Sequence, residues 1–220
     1  RSGMTVPPRL TLASIIDAAF HPTWWWNFIF GPKIKFANVK ERFTGKKTNL
    51  SNIMTYMNQQ FDPSVTWDEA KEIASMWGGP FAIKGIMNSA DAEKAIEIGA
   101  SAIVISNHGG RQVDMGQATI TSLQDIAPKY HDQIKIMMDS GIRGGADIGR
   151  TLSSGADFTF LGRSFMYGVS ALGKKGGDHT ISILKAQLTQ VMEQMCCEII
   201  KYLSSKPFFF HCCNYVTVFQ

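Results

Sequence analysis

Charge is scarce in this sequence of 220 residues. Charged side chains make up 18 %, with 22 Lys+Arg against 18 Asp+Glu and a formal net charge of +4. So mild a balance excludes a dedicated nucleic-acid binder, whose basic residues would cluster on one face. Long hydrophobic runs are missing too, and no apolar stretch reaches the roughly 18 residues of a membrane-spanning helix. The opening Arg1-Ser-Gly-Met-Thr-Val-Pro-Pro has neither an apolar core nor a small-residue cleavage site, so it is not a secretory signal. It does not begin with Met, so Arg1 is expected to lie inside a longer parent chain. Cysteine is rare and badly spaced for chemistry. The four form two adjacent pairs, Cys196-Cys197 and Cys212-Cys213. Neighbouring residues cannot chelate zinc as a CxxC knuckle does, and the pairs lack the spacing of a disulfide framework. No metal site is expected. Idle thiols in a reducing compartment point to the cytoplasm. What the sequence does have is 45 % hydrophobic residues, enough for a globular chain and too many for a disordered one.

Three regions differ in character. Residues 1–65 are expected to be a helical and irregular segment. Leu12 to Phe20 looks helical and is ended by His21-Pro22, because the residue before a proline is driven out of the helical region. A polar, weakly periodic stretch from Asn38 to Gln60 follows.

From Thr66 to Glu198 helical and extended patterns alternate. Thr66-Trp-Asp-Glu69 reads as a capping box opening a helix to about Trp77, which Gly78-Gly79-Pro80 breaks. Phe81 to Lys84 reads as a short strand ending at a lysine. Ser89 to Ile98 is an amphipathic helix stopped by Gly99. Ser101 to Ser106 is an almost continuous apolar strand suited to burial on both faces, followed by the turn Asn107-His108-Gly109-Gly110-Arg111. Further on, helices are expected at Thr121–Pro128, Ala146–Leu152 and Ser164–Leu172, and strands at Ile134–Met138 and Phe158–Leu161. Strands alternating with helices imply an α/β fold of parallel βα units with right-handed crossovers, here four of them. Residues 199–220 show no period at all and are expected to be an atypical tail, either an aromatic extension covering a barrel face or sequence foreign to the fold.

Four successive strands each end on a group that can do chemistry: Lys84, then Ser106-Asn-His108-Gly-Gly-Arg111, then Asp139-Ser140-Gly141-Ile-Arg143, then Gly162-Arg163. Each signal alone is common loop chemistry. In parallel α/β folds, however, ligands sit at the carboxyl ends of strands, so these four loops converge on one place.

Ser106-Asn-His-Gly-Gly-Arg-Gln-Val-Asp114 resembles the signature of the FMN-dependent α-hydroxy-acid dehydrogenases and oxidases, most of all their bacterial quinone-linked L-lactate dehydrogenase branch. The resemblance is strong over Thr66–Glu198 and looser over Arg1–Phe36. Asp139-Ser140-Gly141 stands where many members have Asp-Gly-Gly, and the serine form occurs in the lactate branch. The resemblance implies a (β/α)8 barrel, present here as its last four βα units. It implies FMN as cofactor, with its phosphate held by Gly141, Arg143, Gly162 and Arg163, and Gly144 and Gly145 also allowing close backbone approach. Asp139 would accept from a ribityl hydroxyl, with Ser140 in the same cofactor loop. Lys84 would face the ring and favour its anionic reduced form, with Ser106 beside it. His108 would be the general base, since histidine titrates near neutral pH, and Arg111 the two-pronged clamp on a substrate carboxylate. The proton His108 takes could be that of the hydroxyl or that of Cα.

The expected reaction is oxidation of a small (S)-2-hydroxy acid, L-lactate above others, to the 2-oxo acid, with a quinone or another acceptor receiving the electrons. A homo-oligomer is expected at full length. The Trp24-Trp25-Trp26 cluster with Phe28 and Phe30 is expected either to pack on the barrel exterior or to touch the inner face of the cell membrane peripherally. Two alternatives stand beside this reading. One is a non-catalytic half-barrel remnant. The other is a different FMN barrel, such as a type 2 isopentenyl diphosphate isomerase, against which His108-Gly-Gly-Arg111 argues.

Overall fold

The computed structural model describes residues 11–31, 56 and 59–205. The chain forms two compact units, residues 1–65 and 66–220. In the first, α1 (Leu12–Ala19) starts at a capping box in which Thr11 and Ser14 satisfy each other's backbone N–H. The sequence reading stops at His21-Pro22, yet a second helix, α2 (Pro22–Phe30), begins there. Proline ends one helix and starts the next, because its fixed φ and missing N–H suit a first helical position. Residues 32–55, which hold most of the expected polar stretch, lie outside the description.

The second unit carries the alternating pattern. Helix α3 (Trp67–Trp77) opens on the capping box Thr66–Glu69 and closes at Gly78, whose left-handed φ of 64° suits a residue without Cβ. Then follow β1 (Ala82–Ile86), α4 (Ser89–Glu97), β2 (Ala102–Ile105), α5 (Thr119–Tyr130), β3 (Lys135–Met138), α6 (Gly145–Ser153), β4 (Phe158–Thr159) and α7 (Arg163–Leu172). The four strands form one parallel sheet in the order β1-β2-β3-β4.

Two local expectations are corrected. Strand β1 does not end at Lys84. It runs on to Ile86 through an irregularity in register, where Gly85 takes φ 101°, so Lys84 lies within the strand. Helix α5 does not stop at Pro128 but reaches Tyr130. Residues 173–198, to which the sequence reading assigns no element, hold a 19-residue helix, α8 (Gly176–Gln194), that packs on α6 and α7. The period is weak because few of its residues are buried. Of the supposed tail, Ile200–Ser205 forms a 3-10 turn against α6 with Leu203 fully buried and Ile199 exposed before it; residues 206–220 lie outside the described residues.

The core lies between the sheet and its helices. Ile103, Ile105 and Ile136 are completely buried against Leu123 and Ile126 of α5 and Ala92 and Ala95 of α4. Each large apolar side chain so buried contributes about 1.5–3 kcal/mol. This packing holds the carboxyl ends of the strands side by side, which is where the polar loops begin.

Candidate active site

Eight of the ten residues singled out from sequence line one cleft of about 340 Å³: His108, Arg111, Asp139, Ser140, Gly141, Arg143, Gly162 and Arg163. Gly109, Ile142, Phe160, Leu161 and Met166 complete its wall. The remaining two, Lys84 and Ser106, join through hydrogen bonds. Lys84 Nζ donates to Ser106 Oγ at 2.7 Å and pairs with Asp139 Oδ2 at 3.0 Å. Asp139, expected to accept from a ribityl hydroxyl, therefore already pairs with the lysine through one oxygen. Its other oxygen accepts from Ser140 Oγ at 2.7 Å. Burial raises the Asp139 carboxyl, but hydrogen bonds from Ser106, Ser140 and Lys84, together with the lysine charge, outweigh it and hold the carboxyl below the usual carboxylate range.

The turn after β2 is unusual in its backbone. His108, Gly109 and Gly110 all lie in the left-handed region, with φ of 57°, 69° and 71°. Asn107 steadies the turn by accepting from Gly110 N–H at 3.1 Å and donating to Gln117 O at 3.1 Å. The Arg163 guanidinium donates to Gly109 O at 3.2 Å, which ties the fourth loop to the second across the cleft. Gln112 is a residue that sequence reasoning left without a role. Its side-chain amide lies 3.2 Å from His108 Nδ1, four residues back in the same turn. Spacing alone offered no signal, because the turn is irregular.

Gly144 and Gly145 do not line the cleft and belong to the start of α6. Asp147 accepts from the N–H groups of Arg143 and Gly144 at 3.0 and 3.2 Å, and Gln187 of α8 accepts from Gly145 N–H at 2.9 Å. These amides at the start of α6 are thus satisfied within the protein. A Cβ on Gly145 would strike Gln187 and Leu188, so this glycine lets α6 and α8 touch. A Cβ on Gly162, by contrast, would meet open space beside Arg163.

A larger cleft of about 490 Å³ lies beside the first, sharing Gly109, Ser140, Gly141, Ile142 and Arg163. It is lined mostly by apolar groups such as Ile120 and Met138 and contains none of His108, Arg111 or Asp139. The smaller cleft holds the chemistry. There, two arginines suited to a phosphate, a lysine–aspartate pair, a histidine and a third arginine meet. That donor set fits a phosphorylated ligand together with a carboxylate. Among the described residues no group of His, Cys, Asp and Glu is arranged to hold a metal.

A parallel α/β sheet with such a set at its strand ends defines a class of small-molecule enzyme folds, and comparison with known proteins narrows it. The profile of the FMN-dependent dehydrogenases matches residues 1–208, and the chain belongs to that family. It is 37 % identical over 206 residues to an L-lactate dehydrogenase of Alcaligenes faecalis, covering 93 % of this chain and 54 % of the relative. Over 178 residues it is 41 % identical to an L-lactate dehydrogenase of Actinobacillus pleuropneumoniae serotype 5b, covering 80 % of this chain and 46 % of the relative. Among solved structures, a monotopic membrane protein, (S)-mandelate dehydrogenase, superposes with a TM-score of 0.82 at 29 % identity, over 91 % of this chain and 52 % of that one. A variant of flavocytochrome b2 with sulfite bound gives 0.63 at 36 % identity, over 65 % of this chain and 38 % of that one. The chain spans about half the length of the curated relatives it matches. The barrel fold expected from sequence is borne out, this sheet being part of one.

Proposed function

We propose that this protein oxidises an (S)-2-hydroxy acid, with L-lactate as the leading candidate, to the corresponding 2-oxo acid, residues 66–198 forming the C-terminal half of the barrel that does so. The observation that carries this reading is the meeting of His108 and Arg111, from one turn, with Arg143 and Arg163 in a single cleft. The similarity to L-lactate dehydrogenases supports it.

Arg143 and Arg163 would hold the FMN phosphate, with Gly141 and Gly162 leaving room for it. Lys84 and Ser106 would face the ring, and Asp139 and Ser140 would line the ribityl chain. FMN, when bound, supplies the two-electron acceptor. Arg111 grips the substrate carboxylate with its planar fork and so orients Cα. Oxidation of the substrate removes two protons and two electrons. His108 would accept one proton, that of the hydroxyl or that of Cα, while the electron pair passes to FMN and the second hydrogen leaves with that pair or as a further proton. A quinone or another acceptor then takes up the electrons.

Association with the cytoplasmic face of the cell membrane belongs to the same proposal. Leu12, Ile15 and Phe20 of the α1 region and Trp24, Ile29 and Phe30 of α2 are all more than half exposed. Such apolar and aromatic surface suits the headgroup region, and one solved relative is described as monotopic. No described helix is long and apolar enough to cross a membrane.

The test is an absorbance spectrum of the protein at its relatives' full length. It is expected to be yellow, to bleach on anaerobic addition of L-lactate, and to show a raised KM in Arg111→Lys, because an ammonium cannot reproduce the two-pronged contact. Colourless protein would favour a non-catalytic remnant.

A further inference from the structure

Ser140 occupies a backbone conformation that serine rarely adopts. Its φ is 73°, in the left-handed region, where glycine sits freely and a side chain costs energy. The adjoining Gly141, at φ 78°, shows what the turn prefers. Something must compensate for a serine here, and its hydroxyl makes two contacts that no glycine could.

Ser140 Oγ donates to Asp139 Oδ1 at 2.7 Å and accepts from Gly109 N–H at 2.9 Å. Gly109 follows His108 directly. The N–H of His108 in turn donates to Ser106 Oγ at 3.2 Å, and Ser106 receives Lys84 Nζ, which pairs with Asp139. The contacts close a ring: Lys84, Asp139, Ser140, Gly109, His108, Ser106 and back to Lys84. Two successive amides of the base-bearing turn are thus held by two hydroxyls, each anchored on one member of the same ion pair. The Ser140 carbonyl accepts from the nearly buried Thr119 hydroxyl at 3.1 Å, so the turn is anchored through its backbone as well as through the Ser140 side chain.

We propose that the Ser140 hydroxyl is a positioning group, setting the turn that carries His108 and Arg111 against the Lys84–Asp139 pair. This rests on the proposed function for what the turn does, but not for the positioning itself. Loss of the hydroxyl removes its hydrogen bonds to the Gly109 amide and to Asp139 and loosens the turn that carries the base and the clamp.

The experiment uses the full-length protein carrying Ser140→Ala or Ser140→Gly. Hydrogen exchange of the Gly109 amide is expected to rise about tenfold in both, the loss of one hydrogen bond, while the Ile136 amide in β3 is unchanged. The Asp139 carboxyl, followed by carbon-13 NMR, is expected to titrate closer to the ordinary carboxylate range in both. kcat/KM for L-lactate is expected to fall about tenfold or more, since small displacements of reacting groups are costly. Ser140→Gly relieves the backbone, so it keeps the test open should Ser140→Ala fold poorly. Exchange at Gly109 as slow in Ser140→Gly as in the unaltered protein would overturn the proposal, because the backbone conformation alone would then hold the turn. Faster exchange in a protein that never oxidises lactate would sustain the positioning and refute the function assigned to the turn.

Discussion

At the scale of single residues, chemistry follows from which neighbours each group keeps. His108 lines the cleft with Arg111, and its ring nitrogen meets the Gln112 amide. His108→Gln in the full-length protein is expected to retain FMN and to slow its reduction by L-lactate about 10²-fold or more, the usual general-base contribution. Stopped-flow absorbance measures this, and a near-normal rate would remove His108 from that role. Asp139 leads to a pH effect of definite sign. Its carboxyl is held below the ordinary range when folded, whereas the unfolded chain titrates at about 3.9. Its contribution to stability is therefore complete above about pH 4 and disappears as the pH falls through the lower folded value. Urea unfolding from pH 6 down to 3 is expected to show a steeper acid loss than in Asp139→Asn. The difference between the two chains isolates this carboxyl from Asp157, which is also lowered. The His-Gly-Gly-Arg turn was legible at this scale as a motif. The Lys84–Asp139 pair was not, since 55 positions separate its members in sequence and only the sheet brings them to 3.0 Å.

At the scale of elements, local signals worked where they were strong. The Thr66–Glu69 capping box and the apolar run of β2 needed no tertiary help, since one satisfies its own helix start and the other has Ile103, Val104 and Ile105 buried. The end of β1 was misplaced because a charged residue reads as a boundary, whereas Lys84 finds its partner on β3's loop and the strand continues. Helix α8 escaped notice because its residues are mostly exposed and few carry the period. It nevertheless matters for packing, through the close approach at Gly145. Gly145→Ala is expected to lower stability by about 1–3 kcal/mol, the cost of overpacking two helices. Gly177→Ala, in the first turn of α8 where a Cβ meets open space, is expected to be neutral or slightly stabilising. Urea denaturation of both variants tests the contrast, and equal midpoints would show that α6 and α8 yield easily.

At the scale of the whole molecule, the sheet has four strands among the described residues, with β1 and β4 at its edges, while barrel closure takes eight. Open edges invite pairing with other chains. Residues 1–220 expressed alone are expected to bind FMN weakly at best and to lack turnover with L-lactate and an artificial acceptor; turnover near that of a full-length relative would mean that two chains can complete one barrel. The parallel α/β class, the order of its units and the identity of the groups at their ends were determined by the sequence itself. Each depends on short-range periodicity, on caps, or on residues contiguous in the chain. Tertiary structure alone decided the ring that joins Lys84, Asp139 and Ser140 to the His108 turn. It likewise decided the structural use of Gly145 and the bond from Arg163 to Gly109. The long-range contacts among these join residues 22 to 55 positions apart, and no local pattern encodes a partner that only the packing of the sheet and its helices brings within reach.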